Sequence, residues 1–321
     1  MVTTERNYAF RQRLDTVHKP NRRDPDCLPD VGEVFIEDCW RIVVPEDASH
    51  YLLGVAADLQ DYMFTSMGIS LLLTRVASLN DVGTKAIVLV TQDASSVEGD
   101  SLSDEGAALS VPRSYRLRVT DSNVIACGFD ERGVGQACYY IEDLMNLREA
   151  SYLTLGDLIR EPVFSPRMVH SGWGMDQYPD SHLDAIAHAG FDAILVFVKG
   201  VNLTTMGFLD INDLIVRATR FGLDVYLYSY IISRKHPDDP DAESFYESTY
   251  GELMRAHPGA KGIVFVGESC EFPSHDPNTT QKLHSETTAA DTKPSPGWWP
   301  CTDYPDWLNL VKRIIRRYNP D

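Results

Sequence analysis

The strongest constraint on the fold is a strand–helix alternation that repeats four times after Pro166. Apolar runs predict strands at 167–173, 191–198, 223–231 and 262–266, and amphipathic runs predict helices at 180–189, 210–221, 243–257 and 304–318. Two of these strands are continuously apolar, as expected for parallel strands buried on both faces. Four such units fit either a doubly wound sheet or half of a TIM-type barrel. Neither glycine-rich phosphate-binding motif follows a strand, which favours the barrel.

The chain before this alternation predicts a smaller α/β domain. Helical periodicity appears at 51–67 and again from near Gly133, and extended or strand-like runs occupy 34–44, 69–73, 86–91, 115–120 and 124–127. Residues 1–32 are polar and rich in Pro, Arg and Asp. We therefore predict an α/β protein in three parts: an N-terminal arm at 1–32, a small α/β domain at 33–160 and a partial (β/α) barrel at 161–321.

The net charge and the cysteine content indicate which kinds of binding partner and cofactor to expect. The net charge of −18 argues against binding to nucleic acid or to an anionic membrane surface. No run approaches the ~20 apolar residues of a membrane-spanning helix, and Met1 to Arg13 lacks the apolar core of a secretion signal. The six cysteines are scattered without a CxxC pair, so we expect no metal, no cofactor, and reduced thiols in a cytoplasmic protein.

Polar and aromatic residues gather where the predicted barrel strands end, which is the edge where barrel enzymes place their active sites. In chain order these residues are Trp173, Asp176, Lys199, Tyr228, Tyr230, Glu268 and Glu271. Proteins bind sugars by stacking them on aromatic rings and by hydrogen bonds from carboxylates and cations. The set therefore predicts a carbohydrate site, and its lysine suits an acidic sugar.

Two glutamates at the end of the fourth strand suit glycoside hydrolysis, which needs a carboxylic acid to protonate the leaving oxygen. Glu271 lies beyond the strand, where it could reach a ligand, and we predict it to be the general acid. Glu268 shares strand parity with Val264 and Val266, and we predict that it raises the pKa of Glu271 or binds a sugar hydroxyl. The alternative is that both glutamates are solvated loop acids.

The segment 273–303 is long for a βα connection and contains Trp298 and Trp299 between two prolines. Long loops of this kind often close over a substrate, and the tryptophan pair is a candidate sugar contact. The alternative is that the pair plugs the barrel mouth or contacts a neighbouring subunit. His236 lies in an acidic loop that we expect to be exposed.

Two short segments resemble known glycoside hydrolases. Residues 124–140, VIACGFDERGVGQACYY, resemble the end of the α/β domain that precedes the barrel in β-hexosaminidases and α-glucuronidases. Residues 264–273, VFVGESCEFP, resemble the family 67 α-glucuronidase segment that carries the acid, which implies that Glu271 is the proton donor. The same segment is similar to the Gly-Asp-Glu segment of family 20 hexosaminidases. There the acid would fall on Ser269, which cannot replace it.

The sequence leaves three functions open. The first is a glycoside hydrolase or the N-terminal part of one, and the second is a carbohydrate-binding or catalytically inactive homologue that uses the same pocket. The third is another barrel enzyme, such as a lyase or a metal-dependent hydrolase, although no HxH pair lies on the first barrel strand. Because half a barrel exposes two edge strands, we expect self-association or a missing C-terminal half to cover them.

Overall fold

The computed structural model describes residues 16–93, 108–170, 177–266, 272–293 and 303–320. The chain divides into two compact units. The first comprises Met1–Arg167, Asp180–Asp192 and Arg220–Gly222, and the second comprises Met168–Pro179, Ala193–Thr219 and Leu223–Asp321. None of the helices within the described ranges is long and apolar enough to cross a membrane.

The first unit is built on a mixed six-stranded sheet with the strand order β3-β2-β4-β6-β5-β8. Its strands are β2 (Arg41–Pro45), β3 (Leu72–Val76), β4 (Ala86–Thr91), β5 (Tyr115–Val119), β6 (Asn123–Gly128) and β8 (Gly156–Arg160). Neighbouring strands in the series β3, β2, β4 and β6 pair in parallel, and β5 pairs antiparallel with both of its neighbours, β6 and β8. A separate ribbon joins β1 (Glu33–Phe35) to β7 (Tyr152–Thr154).

Within its described residues this unit has three α-helices: α1 (His50–Thr65), α2 (Glu131–Arg148) and α3 (Asp180–His188). Ser49 is the N-cap of α1, and its hydroxyl accepts a hydrogen bond from the Leu52 N–H; Asp130 is the N-cap of α2, and its carboxylate accepts one from the Gly133 N–H. The stripe predicted for the first helix is buried as expected: Leu52, Val55, Ala56, Leu59, Tyr62 and Met63.

Several predicted strand bounds in the first unit were wrong. The segment predicted as a strand at 69–73 begins with Ile69 and Leu71 buried in the connection, and the strand itself starts at Leu72. The single extended run predicted at 34–44 is broken by a turn in which Trp40 N–H donates to the Glu37 carbonyl, so its two halves join different sheets. Strands β7 and β8 were not predicted, because their residues alternate weakly in polarity.

Close packing at Gly133 provides a stability prediction. A Cβ at this position would lie 2.3 Å from the carbonyl oxygen of Ser114, which is backbone and cannot rotate away. We expect Gly133→Ala to lower the free energy of unfolding by about 1–3 kcal/mol through overpacking. The matched control is Gly54→Ala within α1, where a Cβ meets nothing within 4 Å.

The control should stabilise the protein by about 0.5–1 kcal/mol, since alanine has less conformational freedom to lose in a helix. Urea unfolding of both variants checks the pair. Equal effects of the two substitutions would contradict the packing described at Gly133.

The second unit contains a four-stranded parallel sheet with the strand order β14-β13-β10-β9. Its strands are β9 (Met168–His170), β10 (Ala193–Val198), β13 (Asp224–Ser229) and β14 (Gly262–Phe265). These strands confirm the four predicted after Pro166. A short hairpin, β11 (Leu203–Thr204) with β12 (Gly207–Phe208), follows β10 and was not predicted.

The helices of the second unit are α4 (Ile211–Arg220), α5 (Ala242–Tyr246), α6 (Glu252–Ala256) and α7 (Tyr304–Ile315). Between α5 and α6 the chain makes a π-helical turn, Glu247–Gly251, so the predicted helix at 243–257 is one helix with a wide turn inside it. Trp307 of α7 is fully buried, and its ring centroid lies 5.0 Å from that of Phe265 in β14. Helix α7 therefore packs against one face of the parallel sheet.

Candidate functional site

The carboxyl ends of β9, β10, β13 and β14 meet at one edge of the second unit's sheet, because all of these strands run parallel. In the strand register, Leu195 faces His170, Phe197 faces Tyr228, and Tyr228 faces Val264. Paired residues of parallel strands point to the same side of a sheet. One sheet face thus collects side chains from all four strands near this edge.

Four rings on this face form an aromatic cluster: His170, Phe197, Tyr228 and Tyr230. The ring centroids of Phe197 and Tyr228 are 4.9 Å apart, and those of Phe197 and Tyr230 are 5.3 Å apart. The His170 ring is stacked on Tyr228 at 6.2 Å. Phe197 is buried, the two tyrosines are half-buried and His170 is exposed. The cluster therefore presents accessible aromatic surface with phenol hydroxyls.

The helices lie on the opposite face, so the aromatic cluster is not part of the strand–helix core. Phe265, next to Val264 in β14, contacts Tyr250 and Trp307 on the helical side. On β13 the alternate residue Ser229 lies with its hydroxyl 3.4 Å from the Tyr250 hydroxyl. Tyr228 and Tyr230, one position to either side, consequently point away from the helices.

Lys199 immediately follows β10, and its side chain is exposed at the same edge. Its main-chain N–H donates to the Leu203 carbonyl at 2.7 Å, which starts the β11–β12 hairpin. The hairpin fixes the backbone at Lys199 and leaves the ammonium group in solvent.

The structure brings three of the predicted site residues, Lys199, Tyr228 and Tyr230, to this edge. The other predicted site residues lie outside the described residues: Trp173, Asp176, Glu268, Glu271, Trp298 and Trp299. Their roles stay predictions. By sequence position alone, both glutamates follow Phe265, the last residue of β14.

Sequence reasoning missed a histidine cluster in the loops that follow β13 and β14. His236 was expected to be exposed, but it is only 3% exposed, and its ring stacks on that of His275 with centroids 3.4 Å apart. Its Nδ1 accepts a hydrogen bond from the Asp238 N–H, so Nε2 carries the proton and faces Oδ1 of Asp303 at 3.3 Å. The local sequence is acidic and gave no signal for this burial.

Asp303, directly before α7, contacts both the loop that follows β13 and the loop that follows β14. It accepts hydrogen bonds from the Ser274 hydroxyl at 2.5 Å and from the His275 N–H at 3.1 Å. Burial raises the pKa of Asp303, but the hydrogen bonds from Ser274 and the His275 N–H, together with the nearby His236 ring, outweigh this effect, and the pKa lies below its usual value. The carboxylate is therefore held ionised as a structural anchor.

Two groups of described side chains have the composition and spacing to hold a metal ion. One is His236, Asp238 and His275 in the second unit, where the aspartate and His275 are exposed. The other is His18, Asp58, Glu142 and His188 in the first unit, where Glu142 is buried and the rest are half-buried. Neither group was predicted, because each one joins residues from separate parts of the sequence.

No protein-family model matches the sequence, and no curated protein matches it either. Several solved structures, however, are similar to this chain. An N-acetyl-β-hexosaminidase from Streptomyces plicatus is 14% identical with a TM-score of 0.59, and the match covers 94% of this chain and 66% of that one. The GH20 β-N-acetylhexosaminidase from Streptomyces coelicolor A3(2) is 12% identical with a TM-score of 0.57, over 93% and 65% of the chains. CpGH84D is 9% identical with a TM-score of 0.56, over 78% and 45%.

These similarities define the class of fold: an α/β unit joined in sequence to part of a (β/α) barrel, as in glycoside hydrolases of families 20 and 84. The predicted fold class and the resemblance to hexosaminidases are confirmed at this level. The chain spans less than two thirds of the length of the two hexosaminidases. None of the structures named is a family 67 α-glucuronidase, so that resemblance stays a prediction.

Proposed function

We propose that this chain is a glycoside hydrolase, or the N-terminal part of one, that acts on O-glycosyl bonds with Glu271 as the general acid. The observation that carries the proposal is the aromatic cluster at the carboxyl edge of a parallel sheet whose fold matches glycoside hydrolases. Half-buried tyrosines suit stacking against the apolar face of a sugar ring, and their hydroxyls can bond its substituents. Lys199 beside them would favour a sugar that bears a carboxylate.

The chemistry follows from the residues beyond β14. Glu271 would donate its proton to the glycosidic oxygen as the bond to the anomeric carbon breaks. Glu268 would act from nearby, since a second carboxylate raises the pKa of the first and keeps it protonated near neutral pH. Trp173, Asp176, Trp298 and Trp299 would complete the sugar pocket around Tyr228 and Tyr230.

The test is turnover of a panel of aryl glycosides that includes glucuronides and N-acetylhexosaminides. Glu271→Gln should lower turnover of substrates with poor leaving groups by about 10²–10⁴-fold, because their oxygen must be protonated to depart. Dinitrophenyl glycosides need little protonation, so the same variant should lose far less activity with them. Glu252→Gln, an identical change on the exposed face of α6, serves as the control and should leave turnover unchanged.

If Glu271→Gln lost turnover equally with all leaving groups, Glu271 would not be the general acid. If the variant kept wild-type turnover, Glu271 would not belong to the active site. In either case the panel still reports whether the chain hydrolyses a glycoside. The glycosidase proposal and the assignment of its acid can therefore fail separately.

A second function, carbohydrate binding without turnover, is favoured by the aromatic cluster taken alone, because stacking of a sugar on Tyr228 and Tyr230 needs no catalytic carboxylate. This alternative predicts no hydrolysis of any glycoside in the panel but saturable sugar binding in a calorimetric titration. Hydrolysis by the wild-type chain would exclude it.

A further inference from the structure

The first unit contains a cluster of four ionisable side chains that no step of the proposed hydrolysis uses. It joins four segments: His18 lies before β1, Asp58 is on α1, Glu142 is on α2 and His188 ends α3. One ligand atom from each residue lies within 4.8 Å of the others. The side chains of both histidines are 9% exposed and that of Glu142 is 4% exposed. The cluster is therefore largely withdrawn from water.

The polar atoms at its centre are close but are not hydrogen-bonded within the described residues. Nε2 of both histidines and Oδ2 of Asp58 are buried without a hydrogen-bond partner, and so is Oε1 of Glu142, whose other oxygen, Oε2, faces the two histidines. Nε2 of His188 lies 3.0 Å from Oδ2 of Asp58, and neither atom has a hydrogen-bond partner. Each buried polar atom left unsatisfied is costly. Several such atoms at one point indicate a missing binding partner.

The other nitrogen of each imidazole, Nδ1, already makes a hydrogen bond within the protein. Nδ1 of His18 lies 2.7 Å from Oδ2 of Asp61, and Nδ1 of His188 lies 2.9 Å from the Asp184 carbonyl oxygen. A carboxylate and a carbonyl can only accept, so both Nδ1 atoms donate when the rings are neutral. The lone pairs are then on Nε2 and point into the cluster. Histidines that bind metals are oriented in this way by a carboxylate or a backbone carbonyl.

The separations fit the coordination shell of a small divalent ion. Zinc binds imidazole nitrogen and carboxylate oxygen at about 2.0–2.2 Å, so two ligand atoms on a tetrahedral ion lie ~3.3–3.5 Å apart. Nε2 of His188 is 3.0 Å from Asp58 and 3.4 Å from Oε2 of Glu142. Nε2 of His18 is 3.7 Å from the other carboxylate oxygen of Asp58, Oδ1, and 3.6 Å from Oε2 of Glu142. These distances bracket the tetrahedral value.

Neighbouring rings hold both imidazoles in place. The centroid of Tyr139 lies 4.1 Å from that of His188, and the centroid of Tyr62 lies 5.6 Å from that of His18. The two imidazoles themselves make an edge-to-face contact at 5.5 Å. Side chains that are locked before an ion arrives lose less freedom when it binds.

We propose that His18, Asp58, Glu142 and His188 bind one divalent transition-metal ion of the zinc type. Two imidazoles and two carboxylates would fill all four positions of a tetrahedral shell and leave none open for a substrate, which is the ligand number of a structural rather than a catalytic zinc site. The ion ties the segment before β1 to helices α1, α2 and α3. The site is independent of the proposed hydrolysis.

The competing explanation is a cluster of ion pairs without metal. Burial lowers the pKa of His18, but the carboxylates of Glu142 and Asp61 raise it to about 9. Burial also lowers the pKa of His188, and Asp184, Asp58 and Glu142 raise it to about 12. Two imidazolium ions facing these carboxylates would neutralise the cluster with protons alone. The two explanations differ in whether the purified chain binds a metal.

The experiment is calorimetric titration of the full chain with zinc chloride after treatment with a chelator, followed by cobalt(II) absorption spectroscopy. We expect one zinc ion per chain, a raised melting temperature, and the intense visible bands of tetrahedral cobalt. His18→Ala should weaken zinc binding by more than about 100-fold. Asp61→Asn, which changes only the partner of a ligand, should weaken it by about 10–100-fold.

His50→Ala is the matched control, because His50 is an exposed histidine at the start of α1, and it should bind zinc as the wild type does. No binding by the wild-type chain, or binding that His18→Ala leaves intact, would overturn the proposal. If a ligand variant fails to fold, the wild-type cobalt spectrum still decides, since octahedral cobalt or none contradicts a four-ligand site.

Discussion

Trp307→Ala is expected to lower the free energy of unfolding of the second unit by about 3–5 kcal/mol. The indole is fully buried in α7, and its centroid lies 5.0 Å from Phe265 and 5.4 Å from Tyr304. Truncation to alanine removes these contacts and leaves a cavity between the helices and the sheet. Chemical unfolding followed by circular dichroism measures the loss.

Two further variants serve as an exposed control and as a conservative replacement in this test. Phe208→Ala removes an aromatic ring that is 77% exposed in the same unit and should change stability by less than about 0.5 kcal/mol. Trp307→Phe should cost less than the alanine variant, because the indole N–H has no hydrogen-bond partner among the described residues and only packing is lost. A loss below about 1 kcal/mol in Trp307→Ala would show that α7 does not pack as described.

Asp192→Ala is expected to lower the free energy of unfolding of the first unit by about 3–5 kcal/mol, which is typical when one partner of a buried ion pair is removed. The Asp192 side chain is 1% exposed. Its carboxylate accepts hydrogen bonds from the Arg167 guanidinium at 2.8 and 3.0 Å and from the Arg167 main-chain N–H at 2.8 Å. The variant leaves a partly buried guanidinium and a backbone N–H without this acceptor. Thermal unfolding by calorimetry measures the loss.

The control for that variant is Asp180→Ala. Asp180 pairs with Arg220 at 3.1 Å, and both side chains are about half exposed, at 49% and 60%. A solvent-exposed ion pair contributes only about 0–1 kcal/mol. Similar losses in the two variants would mean that burial of Asp192 has no energetic consequence.

Much of the fold could be predicted because local patterns were decisive. The apolar strand Ala193–Val198 and the stripe of α1 follow periods set by backbone geometry alone. Prediction was weaker where tertiary contacts select the structure. Leu72–Val76 is a strand because it pairs with β2, although the predicted run that begins three residues earlier is more apolar. Strand β7 likewise depends on pairing with β1.

Among the candidate site residues, too, those set by a local pattern could be predicted and those brought together by tertiary contacts could not. Tyr228 and Tyr230 could be located because they follow a recognisable strand. The proposed metal site could not be located from the sequence, since it unites residues as distant as His18 and His188, and no local pattern links them. His236 was predicted to be exposed from its acidic neighbours. Its burial depends on His275 and Asp303, which reach it from other loops.

The π-helical turn at Glu247–Gly251 has a consequence for the comparison of related sequences. A π turn holds one residue more than an α turn, so Leu253 and Met254 reach the core only with that extra residue present. A relative with a regular α-helix here would need one residue fewer to bury the same side chains. The correct alignment would then place a one-residue gap inside this helix, between Tyr246 and Glu252, rather than in a neighbouring loop.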